Sequence, residues 1–151
     1  MIFQRKSWKK LAYIKILLYL CSRFRTEDTM IATLAEIQKF LNDFHQKVEV
    51  FDIIILNDRE KNAKTIATLG ISPNAQREVI KEIQVTDYSE GPIKNLLNAW
   101  GDLWVFGKDI NGHEVYIKIA YGRPNSSTIC VSFHIAEFPM NYPYKKGGIV
   151  C

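Results

Sequence analysis

Apolar residues recur at three- and four-residue intervals through residues 30–46, MIATLAEIQKFLNDFHQ. Ile31, Leu34, Ile37, Leu41 and Phe44 form the series, with polar residues between them. That spacing places one apolar stripe along a helix and predicts a helix packed by that stripe. His45, near its end, reads as a solvated residue favoured by the helix dipole. Residues 48–56, VEVFDIIIL, are β-branched and aromatic and are bounded by NDRE. They predict a buried strand, although periodicity alone does not separate strand from helix in so short a run. Glu60 to Leu69 predicts a short helix closed by Gly70. Ser72-Pro73, serine at the N-cap and proline at the first helical position, opens another that runs to about Gln84. Asp87 to Pro92, DYSEGP, reads as a loop.

Three β-rich runs follow, at 103–108, 114–121 and 127–134. Asn111-Gly112 between the first two signals a tight hairpin, and GRPNSS separates the second from the third as a longer turn. Helices first and strands later predict an α+β domain, with N-terminal helices packed on a small C-terminal antiparallel sheet. Side chains alternate between the faces of a strand. Val115, Ile117 and Ile119 therefore point one way, and Glu114, Tyr116 and Lys118 the other. Carried through the last strand, the alternation sets Ile129, Val131 and Phe133 against the helices. Tyr116, Lys118, Ser132 and His134 then share the open face, where Trp104, Phe106 and Lys108 of the first strand are candidates to join them.

Composition narrows the class. In 151 residues, 47% hydrophobic and 24% charged content is that of a globular domain and excludes disorder of the whole chain. The net charge of +4 is unevenly spread: residues 1–25 hold seven basic side chains and no acidic one, leaving 13 basic against 16 acidic in 26–151. The basic character belongs to the leader, so it is poor support for nucleic-acid binding by the domain. Within the leader, LAYIKILLYLC at 11–21 resembles the apolar core of a signal peptide, but Lys15 interrupts it and no small-residue cleavage site follows. It is too short to span a bilayer, so no stable membrane insertion is expected. An upstream extension before a start at Met30, an amphipathic surface helix carrying Leu11, Ile14, Leu18 and Cys21, and a signal all remain open. The expected organisation is a leader at 1–29, a domain at 30–146 and a flexible tail at 147–151. Three cysteines, Cys21, Cys130 and Cys151, without a CxxC pair imply neither a disulfide framework nor a zinc site, and fit a reducing, cytoplasmic setting.

The open-face set suits cleavage of RNA without a metal or cofactor. Such a reaction needs a base for the 2′-hydroxyl, an acid for the 5′-oxygen and a cation for the charge on the phosphorane. Histidine serves as base or acid near neutral pH, tyrosine donates or orients a proton, and lysine supplies charge. Exposed aromatics stack bases of single-stranded RNA. Against this stands the ordinary solvated face of an antiparallel sheet, where Tyr and Lys are common.

Trp104-Val105-Phe106, Val115-Tyr116-Ile117-Lys118-Ile119 and Cys130-Val131-Ser132-Phe133-His134, preceded by Leu69-Gly70-Ile71 and Asp87-Tyr88, resemble the MqsR family of bacterial toxins across roughly residues 31–145. The resemblance implies a RelE-like α+β fold and a ribosome-independent endoribonuclease acting on single-stranded mRNA. It also implies a cognate antitoxin encoded nearby. Tyr116 matches the family's catalytic tyrosine, and His134 stands where the best-known members carry lysine. Val105 replaces the family's glutamine, and Glu90 falls at the position of its lysine. Lys108, Lys118 or Lys145 are the candidates to supply the missing cation, with Trp104 as a base-stacking surface. A non-catalytic RNA-binding or antitoxin-binding domain of the same fold is the alternative. The tail 135–146, IAEFPMNYPYKK, either folds back with Tyr142, Tyr144 and Lys145 near the site or forms a surface arm.

Overall fold

A computed structural model describes residues 31–145. The expectations for the leader at 1–29, for Cys21 and for the tail at 147–151 lie outside the described residues. The described residues form three α-helices and five strands: α1 (Leu34–Phe51), β1 (Ile53–Ile55), α2 (Glu60–Leu69), α3 (Pro73–Lys81), a 3₁₀ turn (Val85–Asp87), β2 (Tyr88–Ile93), β3 (Leu103–Ile110), β4 (His113–Ala120) and β5 (Thr128–Ile135). The architecture is α+β, as the order of patterns predicts.

Thr33 starts α1 with a capping box: its hydroxyl accepts from the Glu36 amide at 3.3 Å, and the Glu36 carboxylate accepts from the Thr33 amide at 2.7 Å. Ile31 therefore precedes the helix. At its other end α1 continues through Val48–Phe51, so most of the strand expected at 48–56 is helical and β1 keeps only three residues. Val48 stays in phase with the Ile37, Leu41 and Phe44 stripe and is buried. Burying such a side chain is worth about 1.5–3 kcal/mol. The β propensity of one residue spans only about 1 kcal/mol, so burial wins. Asp52, at φ 62°, stops the helix while its amide donates to the Val48 carbonyl.

The helix α2 has its expected bounds, with Gly70 left-handed at its end, and the Ser72 hydroxyl caps α3 at 3.1 Å. Helix α3 ends at Lys81, short of Gln84. The segment read as a loop, Asp87 to Pro92, is largely strand β2 at the sheet edge. An edge tolerates Gly91 and Pro92 because half its backbone groups have no ladder partner. The sheet is also not wholly antiparallel. Its order is β1-β5-β4-β3-β2, and β1 runs parallel to β5. Helices α2 and α3 lie within the long connection that a parallel pair requires.

Residues of the three described helices join one core with one face of this sheet. Ile37, Phe44, Ile80, Phe106, Ile117 and Phe133 are fully buried between the layers, and Phe40 stacks on Trp104 with ring centroids 4.5 Å apart. Val115, Ile117 and Ile119 face the helices as alternation predicts. In β5 the alternation breaks: Lys118 pairs with Ser132 but Ile119 pairs with Cys130, so Val131 is an extra, bulged residue. Beyond it the faces exchange. Cys130 enters the main core, while Ile129 and Val131, expected against the helices, join Ala120 in a small second cluster. Among the described residues, no helix is long and apolar enough to cross a membrane.

Candidate functional site

Asn111 and Gly112, both at positive φ, close a tight hairpin that fixes the register of β3 and β4. The register of β4 and β5 then sets Tyr116 directly opposite His134 and Lys118 opposite Ser132. These four side chains share the face that the helices leave uncovered. Together with Glu90 of β2 and the segment 136–141 they line an open groove of about 500 Å³.

The Tyr116 and His134 rings stack, with centroids 5.0 Å apart and planes 15° from parallel. The Lys118 ammonium lies 5.5 Å from the centre of the Tyr116 ring, on the same face. His134 Nδ1 is 2.9 Å from the Ile135 carbonyl oxygen. A carbonyl only accepts, so Nδ1 carries the proton in this contact. The neutral ring then keeps its free lone pair on Nε2. Burial and then the Glu90 carboxylate push the Tyr116 phenol up to about 12, so it remains a proton donor across the neutral range.

The tail forms the outer wall. Glu114, at the start of β4, accepts from the Met140 amide and the Tyr142 hydroxyl, both at 2.9 Å. Tyr142 lies across Gly107 of β3, where a side chain would collide with its phenol. Burial, followed by the bond to Glu114, raises the Tyr142 phenol far above its usual range. The tail thus folds back, but it lines the groove with residues 136–141 and not with Tyr142, Tyr144 or Lys145, the three expected there. Tyr144 turns instead to the core margin, donating to the Ala32 carbonyl at 2.6 Å and packing against Tyr88.

The other expected contributors are elsewhere. Trp104 and Phe106 belong to the core face of β3, whose groove-side positions are Val105 and Gly107. Trp104 is buried against Phe40 and presents no stacking surface to the groove. Lys108 shares that core-side phase and pairs with Asp87 at 2.9 Å. Lys145 is exposed, with its ammonium 4.9 Å from the Tyr142 ring centre, and does not line the groove.

Three charged neighbours come from elements that sequence reasoning did not connect to His134. Glu90 lines the groove from β2, while Lys61 of α2 and Glu137 form an ion pair at its opposite rim. That pairing holds the Glu137 carboxyl below its ordinary value, chiefly through the hydrogen bond from Lys61. Reading β2 as a loop concealed the direction of Glu90, and no local signal links Lys61 to a strand so distant in sequence. Among the described residues, no three His, Cys, Asp or Glu side chains converge as a metal site requires. Comparison with protein-family models, with curated proteins and with solved structures returned no match to this chain.

Proposed function

We propose that the protein is a toxin of the MqsR type with a RelE-like arrangement, a metal-independent endoribonuclease that cuts single-stranded mRNA in the cytoplasm and is neutralised by an antitoxin. The observation that carries this reading is the Tyr116–His134 pair, with His134 Nε2 unencumbered and Tyr116 held protonated beside it. In this reaction His134 Nε2 takes the proton of a 2′-hydroxyl as that oxygen attacks phosphorus. The bond from phosphorus to the 5′-oxygen breaks, and the leaving oxygen takes a proton from the Tyr116 phenol. Lys118 offsets the charge that grows on the non-bridging oxygens. The products are a 2′,3′-cyclic phosphate and a 5′-hydroxyl, and the imidazolium proton returns to the phenolate by way of solvent.

A second reading, a non-catalytic RNA-binding or antitoxin-binding domain of the same fold, is favoured by Glu90 and Val105. They stand where the family it resembles carries lysine and glutamine. Incubating the full, partner-free chain with single-stranded RNA in EDTA, beside His134→Ala, separates the two. Wild type should cut and the variant should not. A folded wild type that binds RNA without cutting it leaves only the second reading. Expression should arrest bacterial growth, and co-expression of a neighbouring antitoxin gene should relieve the arrest.

A further inference from the structure

His134 lines two hollows. Besides the groove it shares with Tyr116, it borders a smaller one of about 310 Å³ on the α2 side, formed with Lys61, Lys64, Thr65 and Thr68. Lys61 and Glu137 border both, so the two hollows meet along a single rim at the imidazole. Lys61 and Lys64 are three residues apart on α2 and therefore neighbours on the same side of the helix. The helix itself is tied to β5: the side-chain carbonyl oxygen of Asn62 accepts from the Phe133 amide at 3.0 Å, and the Thr65 hydroxyl accepts from the Ile135 amide at 3.0 Å. The two lysines thus leave α2 at fixed positions relative to β5 and His134. On the opposite side of the groove the Glu90 carboxylate repels any polyanion.

We infer that Lys61 and Lys64 form a phosphate subsite, which receives a backbone phosphate of single-stranded RNA next to the one held at Tyr116 and His134. The inference rests on the proposed reading of the groove as an RNA site and adds the path of the strand. The chain leaves the groove over His134 toward α2, away from Glu90. Glu137 occupies the subsite in the absence of RNA through its ion pair with Lys61, and an entering phosphate takes its place. Both partners of that pair are largely exposed, at 65% and 53%, so the exchange needs no opening of the core.

The test measures binding of a short single-stranded RNA bearing 2′-O-methyl groups, which cannot be cut by attack of the 2′-oxygen, over a series of salt concentrations. Replacing both lysines, Lys61→Gln with Lys64→Gln, should weaken binding about tenfold at low salt. It should also flatten the slope of log Kd against log salt by about 0.7, the contribution of the one phosphate that the pair receives. Glu137→Gln should tighten binding several-fold, and Lys81→Gln on α3 should change nothing. If wild type binds and the double variant keeps its affinity and salt slope, the subsite is overturned and the groove reading stands. If wild type does not bind the oligonucleotide even at low salt, both fall. Lysine-dependent binding by a wild type that leaves unmodified RNA intact retains the subsite and removes the catalytic assignment.

Discussion

With 5.0 Å between centroids and 15° between planes, the Tyr116 and His134 rings hold each other's orientation, so Tyr116→Phe keeps the stack and removes only the hydroxyl. On the proposed mechanism this variant should fold normally and cleave about a hundredfold more slowly, and His134→Ala should lose about 10²–10⁴ in rate, both read as kcat on single-stranded RNA. The same phenol makes stability depend on alkaline pH. Its pKa rises from 10.0 to about 12 on folding, so the folded chain keeps the proton that the unfolded chain releases first. Its contribution is fully present below pH 10 and is lost as the pH rises through about 12. Urea midpoints measured across that window should fall less steeply for Tyr116→Phe than for wild type. At this scale the pairing of Tyr116 with His134 on one face was legible, because period-two alternation holds through β4. The direction of Trp104 was not. Leu103-Trp104-Val105-Phe106 is apolar throughout, so its pattern carries no contrast between the faces.

Between elements, the wall of the groove depends on a missing side chain. Gly107 lets Tyr142 lie flat across β3 and reach Glu114, which also holds the Met140 amide. Gly107→Ala should push the phenol off the strand and lower stability by about 1–3 kcal/mol, measured by urea unfolding. Adding Tyr142→Ala should recover part of that loss, because the overlap then has no second partner. A simple sum of the two single losses would show that Gly107 and Tyr142 are not coupled. The helix start at Ser72 and the helix end at Gly70 were readable, since each is a local arrangement of backbone and one side chain, whereas the apolar spacing drew Ile31 into a helix that Thr33 caps only later. The bulge at Val131 was not readable. Only the competition between Cys130 and Val131 for the space beside Ile119 decides it, and that space is built by distant parts of the chain.

Across the whole molecule, one core joins α1 to the sheet, and its largest members report on global stability. Phe133→Ala should cost about 3–5 kcal/mol, seen as a lower urea midpoint at unchanged slope. Cys130 offers a second readout. Burial pushes its thiol up to about 12, and it has no exposed surface. In a chain carrying Cys21→Ser and Cys151→Ser, a thiol reagent should therefore label Cys130 only at the rate of unfolding. Labelling at the rate of a free thiol would mean that β5 detaches on its own. The parallel ladder of β1 to β5 has one more consequence, for the order in which a ribosome delivers the parts. The strand that closes the sheet against β1 is made last among the described strands, and it also carries His134. A nascent chain holding α1 through β4 has Tyr116 and Lys118 but neither the histidine nor the completed sheet. The constellation is thus complete only once β5 has been made, and a chain truncated before Thr128 lacks the histidine on which the proposed reaction depends.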